Sequence, residues 1–195
     1  MNLDNFNKFL IKMKEVIILM INSFQKIDIR ILDFIDRYLQ FPILDRIMFI
    51  ITCMGNGGIV WILLSTYLIY NNNYRMEGYM VMSSMIFTSI VGEGLIKHLF
   101  KRSRPYIKIN KRVLLISRPK TYSFPSGHAA SSFAVAGIFI LMNDDISIYI
   151  TTLASLIAFS RVYLNVHYLT DVLTGIILGL LCSILVFNLF NALVY

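Results

Sequence analysis

Apolar runs about as long as a bilayer is thick alternate with short polar links along this chain. A helix of about 20 apolar residues crosses roughly 30 Å of hydrocarbon, so the runs at 48–70, 79–96, 146–160 and 172–195 predict spanning helices. A fifth run, 126–142, is just long enough to do the same. Hydrophilic stretches such as NNNYRMEG and NDD separate them. The expected fold is all-α, a polytopic transmembrane helix bundle.

The first forty residues follow a different pattern. Ile27, Ile31, Phe34, Ile35 and Tyr38 fall on one helical face, while Asp28, Arg30, Asp33, Asp36 and Arg37 fall elsewhere. That predicts a helix lying in the membrane interface. Residues 9–24 offer an alternative, a weak first span, despite Lys12, Lys14 and Glu15. The chain therefore divides into an N-terminal amphipathic segment, 1–42, and a transmembrane domain, 43–195. No cleavable signal peptide is expected, because VIILMI is short and no small-residue cleavage site follows it.

Composition agrees with the pattern. At 57% hydrophobic residues and a mean hydropathy of +0.68, the chain is too apolar for a soluble domain of 195 residues. Cys53 and Cys182 both lie in apolar runs and are expected as buried thiols without a disulfide. Gly175 and Gly179, four apart in the last run, predict close packing against a neighbouring helix.

Charge changes the picture more. Nine of the eighteen basic residues lie between Lys97 and Lys120: Lys97, Lys101, Arg102, Arg104, Lys108, Lys111, Arg112, Arg118 and Lys120. No acidic residue occurs between Glu93 and Asp144. A cytoplasmic loop obeying the positive-inside rule is the plain explanation. The alternative is a site for an anionic substrate at the membrane surface, built from arginines and a lysine. Nucleic acid fits poorly, since the basic loop carries no reading module. If the five helices alternate in direction, the ends near Lys97, Ser126, Arg161 and Asp171 all share one face. The titratable residues cluster there.

Three constellations occupy that face. In KHLFKRSRP, Lys97 and Arg104 are seven apart and share a side if the helix continues to Pro105. Glu93, one turn before Lys97, is expected to pair with it. In PSGH, Pro125 suits the first turn of a helix. Ser126 and Gly127 then offer free backbone N–H groups, and a hydroxyl, at the positive end of the helix dipole, which is a ready anion site. His128 follows at the rim. In SRVYLNVHYLTDV, Arg161 precedes His167 and Asp171, which are four apart and within reach across a helical turn. Asp171 is placed to accept the Nδ1 proton of His167 and leave Nε2 with its lone pair outward. A carboxylate so close favours the imidazolium and is expected to raise the pKa of His167.

Together these residues resemble the signature of the type 2 phosphatidic acid phosphatase (PAP2) family of lipid phosphatases and phosphotransferases. Its pattern is K-x6-R-P, then P-S-G-H, then S-R-x5-H-x3-D. The chain reads Lys97…Arg104-Pro105, Pro125-Ser126-Gly127-His128 and Ser160-Arg161…His167…Asp171, with every position in order and spacing. The resemblance extends over 43–195. It implies that His167 attacks phosphorus to form a phosphohistidine, that Asp171 orients it, and that His128 protonates the leaving oxygen and then activates water. It also implies that Lys97, Arg104, Ser126, Gly127 and Arg161 hold the phosphoryl oxygens. Phosphoryl transfer needs positioning and charge neutralisation above all, and these cations supply both with no metal and no cofactor. The implied substrate is a lipid phosphate or diphosphate, such as an isoprenyl diphosphate, phosphatidylglycerol phosphate or phosphatidic acid. The implied location is the cell membrane, with the site on the external face, against the positive-inside reading of the loop. Two other readings use the same residues: a lipid phosphotransferase, and a membrane protein that binds anionic lipid without turnover. The intact His–His–Asp set argues against the last.

Overall fold

The computed structural model describes residues 3–108, 116, 119 and 121–194. Lys111, Arg112, Arg118 and Lys120, expected as loop cations, lie outside them. Among the described residues the secondary structure is helical throughout. In chain order come α1 (Leu3–Tyr38), α2 (Pro42–Met54), a 3-10 turn (Asn56–Gly58), α3 (Ile59–Tyr70) and α4 (Arg75–Ser89). A π-helical stretch (Ile90–Ile96) leads into the short α5 (Lys97–Phe100), followed by α6 (Pro105–Lys108), α7 (Gly127–Leu141), α8 (Ser147–Tyr163) and α9 (Leu169–Val194). The helical bundle is the fold that the apolar runs predict.

One predicted span is broken. The run 48–70 becomes α2 and α3, bent by 46° at the sequence GNGG. Gly57 and Gly58 sit at φ of 59° and 68°, left-handed backbone that glycine adopts without a Cβ clash. By length and apolarity, the helix from Arg75 onward and α9 suffice to cross a membrane, and the bent pair passes the same test when its two helices are taken together. α7 and α8 are shorter apolar helices.

α7 is the hub. It packs on α9, α8 and α4, and every residue from Ser132 to Phe139 is buried. Small side chains make this possible: Ala130, Ala134 and Gly137 let neighbouring backbones approach. Trp61 on α3 donates its Nε1 hydrogen to Ser132 Oγ at 2.9 Å, fixing α3 against the hub. From the other side α9 presents the expected glycine pair. A Cβ on Gly175 would stand 2.6 Å from the carbonyl oxygen of Ser126, and one on Gly179 2.7 Å from the amide nitrogen of Ala134. Gly179→Leu is therefore expected to cost at least the ~1–3 kcal/mol of an overpacked core, because backbone cannot yield as a side chain can. Thermal unfolding in detergent checks this. Gly94→Ala, whose Cβ would meet nothing within 4 Å, sets the baseline. A Gly179→Leu protein that melts with the wild type would refute the tight interface.

One further expectation is corrected. Cys182 is buried but Cys53 is exposed on α2, and both are free thiols. On α1, the side turned to α8 and α9 is the row Asp28–Leu32–Ile35, all buried, whereas Ile27, Phe34 and Tyr38 are exposed. A buried aspartate marks the inner face, since it has polar partners there.

Candidate active site

The residues expected to form a site converge because the ends of α5, α7, α8 and α9 meet two loops at one end of the bundle. The helix carrying Lys97 stops at Lys101, which takes left-handed backbone (φ 46°). It does not continue to Pro105, so Lys97 and Arg104 are not brought together by helical spacing. The loop folds back instead, and the Ser123 N–H donates to the Arg102 carbonyl at 2.9 Å. A cavity of about 560 Å³ results, lined by Lys97, Arg104, Gly127, His128, Arg161 and His167. Ser126 and Asp171 are fully buried behind it.

Arg104 is the most constrained of the cations. Its guanidinium donates to the carbonyls of Thr121 (2.8 Å), Val166 (2.9 Å) and Tyr122 (3.1 Å), and Nη1 also lies 3.1 Å from His167 Nε2. A guanidinium has no acceptor, so Nε2 must be the acceptor of that contact. Neutral His167 then carries its proton on Nδ1 and its lone pair on Nε2. Arg161 donates from Nη1 to Thr52 Oγ1 at 2.5 Å, leaving its buried Nε without a partner. Lys97 pairs with Glu93, as its spacing predicts. The Glu93 carboxylate also lies against Gly127, in the place a Cβ would need.

At the start of α7, Ser126 Oγ is buried without a partner. Its backbone N–H is not free, as the sequence suggests, but donates to the Asp171 carbonyl at 3.0 Å, tying α7 to α9. The N–H groups of Gly127 and the residues after it open the helix and keep the anion-binding character of its end. His128 Nε2 lies 3.0 Å from Asn56 Oδ1 of the 3-10 turn.

The His167–Asp171 pair departs from expectation in two ways. Nδ1 stands 3.6 Å from Asp171 Oδ2, too far for a hydrogen bond. His167 and Tyr168 precede α9, which begins at Leu169, so the pair spans a loop-to-helix junction rather than one helical turn. Asp171 is held instead by Arg102 Nη1 (2.5 Å) and the Tyr168 N–H (2.9 Å). Moreover, His167 lies below its ordinary pKa, not above it. Burial is the main cause, followed by Arg104, Arg161 and Lys97. Desolvation and three cations outweigh one carboxylate that is already paired.

Four contributors escape a reading of the spacing: Thr52, Asn56, Arg102 and Asp28. Arg102 sits inside KHLFKRSRP and Asn56 inside GNGG, so each had a local signal. Asp28 and Thr52 had none, being joined to the site only through the fold.

A model of the PAP2 superfamily matches residues 78–195, more than half of the chain. The chain belongs to the PAP2 superfamily. Among PAP2 relatives, it is 30% identical to the undecaprenyl-diphosphatase of Sulfolobus acidocaldarius over 73% of this chain and 69% of that protein. It is 43% identical to phosphatidylglycerophosphatase B of Bacillus subtilis, over 34% of this chain and 38% of the other. The PAP2 fold is shared with a transmembrane phosphatidylglycerolphosphate phosphatase from Bacillus subtilis, with a TM-score of 0.74 at 25% identity over 94% of both chains. LpxE of Aquifex aeolicus aligns with a TM-score of 0.72 over 82% of this chain and 94% of that one, at 24% identity.

Proposed function

We propose that this PAP2 protein is a membrane phosphatase that hydrolyses a lipid phosphate or diphosphate through a phosphohistidine at His167, without a metal. The observation that carries the reading is the contact between Arg104 and His167. It puts the Nε2 lone pair at the wall of a cavity in which Lys97, Arg104 and Arg161 supply positive charge, and a phosphoryl group that takes over Arg104 Nη1 frees that lone pair for attack.

In this mechanism the phosphoryl oxygens bind Lys97, Arg104, Arg161, Ser126 Oγ and the N–H of Gly127. The unbonded Arg161 Nε and Ser126 Oγ are donors ready for them. Glu93 gives way as the anion arrives and takes over Lys97. His167 Nε2 attacks phosphorus, the bond from phosphorus to the leaving oxygen breaks, and His128 delivers a proton to that oxygen. Water then attacks the phosphohistidine, His128 takes its proton, and the P–N bond breaks to release phosphate. Asp171 stabilises the positive imidazole formed between the two steps. The names of the relatives support an isoprenyl diphosphate or a phosphatidylglycerol phosphate as substrate. The family resemblance favours the external face of the cell membrane for this site.

Because side-chain cations neutralise the transferred group, phosphate release from these lipids in detergent is expected to persist in excess EDTA. Vanadate, which mimics the five-coordinate phosphorus, is expected to inhibit it. Loss of activity in chelator that magnesium restores would overturn the metal-free mechanism. Release from none of a panel of lipid phosphates and diphosphates would overturn the function.

A further inference from the structure

A buried chain of polar contacts runs from the N-terminal helix to the back of His167. Asp28 on α1 is 1% exposed. Its Oδ2 accepts from Arg102 Nη2 at 2.8 Å and from Thr170 Oγ1 at 2.6 Å, and its Oδ1 accepts from the Thr170 N–H at 3.0 Å. The other arm of the same guanidinium, Nη1, reaches Asp171 Oδ1 and, at 2.7 Å, Thr170 Oγ1. Arg102 also lies over the Tyr168 ring, 4.0 Å from its centroid. Neither Asp28 nor Arg102 lines the cavity.

Two buried carboxylates thus share one guanidinium. An arginine fork left to itself engages both oxygens of a carboxylate. With both arms on Asp171, it would take the oxygen that faces His167. Asp28 holds one arm away.

The geometry points to Asp28 as a positioning residue for catalysis: from α1 it restrains Arg102 to Asp171 Oδ1, so that Oδ2, which accepts only the Tyr168 N–H, keeps a lone pair for His167. This rests on His167 being the nucleophile. The role is exerted when the imidazole becomes positive in the reaction, as Asp171 Oδ2 must then stabilise Nδ1–H. The effect therefore falls on kcat and not on substrate binding.

The test is steady-state phosphate release by the full chain in detergent. Asp28→Asn keeps an acceptor for the Thr170 N–H and removes the charge. It is expected to lower kcat about 10-fold, the size of outer-shell effects on a catalytic group, with KM changed by no more than about twofold. In an Arg102→Gln background, Asp28→Asn is expected to add no further loss, because it acts through that arginine. Asp28→Glu, which keeps the charge, is expected to recover part of kcat. If Asp28 merely docks α1, Asp28→Asn lowers thermal stability with kcat unchanged, or the two losses add, and either result overturns the inference. Should Asp28→Asn not fold, Arg102→Lys keeps the charge but loses the fork. A matching kcat loss at constant KM supports the proposal, and wild-type kcat overturns it. His167→Ala run alongside separates the two failures. Activity in that variant defeats the nucleophile reading, whereas an inert His167→Ala beside a fully active Asp28→Asn defeats this inference alone.

Discussion

His167→Ala is expected to lower phosphate release from a lipid phosphate by at least about 1,000-fold while leaving the protein folded in detergent. Removing a nucleophile from a site whose members act as a unit costs on that order. Folding is expected to survive because the imidazole is only one of several acceptors for Arg104, whose bonds to three backbone carbonyls remain. Rapid acid-free quenching of the wild type with radiolabelled substrate is expected to trap a base-stable, acid-labile phosphoryl-protein, absent from the variant. Normal turnover by a folded His167→Ala protein would end the assignment.

The same residue is expected to set the acid side of the pH profile. Only neutral imidazole attacks, and an ordinary histidine begins to lose that form near pH 6.5. Burial and the cations Arg104, Arg161 and Lys97 hold His167 lower. Because its pKa in the folded protein is lowered, the imidazole stays neutral as pH falls through 6.5, and the acid limb of kcat/KM is expected below that value. Arg104→Gln removes the largest of the charge contributions, so its limb is expected to move upward. A limb at or above pH 6.5 in the wild type would place another group in control.

The charged residues of the cavity were legible because the proposed chemistry fixes both residue type and spacing. Lys97, Arg104, His128, Arg161 and His167 stand in three short motifs and all line one cavity. Backbone between them was harder to read. Spacing of seven suggests a shared helix face for Lys97 and Arg104, yet Lys101 ends the helix and tertiary bonds bring Arg104 round. Spacing of four suggests a helical turn for His167 and Asp171, yet His167 lies before the start of α9 and its Nδ1 stands 3.6 Å from Asp171 Oδ2. The inner face of α1 was harder still. Periodicity finds an apolar stripe, but lipid and protein interior are both apolar, so only polar partners reveal which side is in. Those partners, Arg102 and Thr170 for Asp28, are more than seventy residues away in sequence. The bend in 48–70 is the opposite case: GNGG announced a break that apolar length concealed.

His128→Ala is expected to separate substrates by their leaving group. A lipid alkoxide is a poor leaving group and needs a proton as the P–O bond breaks, whereas p-nitrophenolate needs little. General acids contribute roughly 100- to 10,000-fold, so turnover of a lipid monoester is expected to fall by that amount. Turnover of p-nitrophenyl phosphate is expected to fall by about 10-fold or less, the part owed to binding and to water activation in the second step. Asn56 orients the His128 ring. With its amide oxygen 3.0 Å from His128 Nε2, that ring nitrogen carries hydrogen and is held at the cavity wall. Substrate anion seated at the start of α7 would then lie beside a histidine already oriented, and the negative charge it brings favours the protonated form. An isoprenyl diphosphate adds a discriminating case, since its leaving group is a lipid monophosphate of far lower basicity than an alkoxide. Its loss in His128→Ala is expected to fall between the other two. Equal losses on all three substrates would remove His128 from the acid role and leave it as a binding group for phosphate alone.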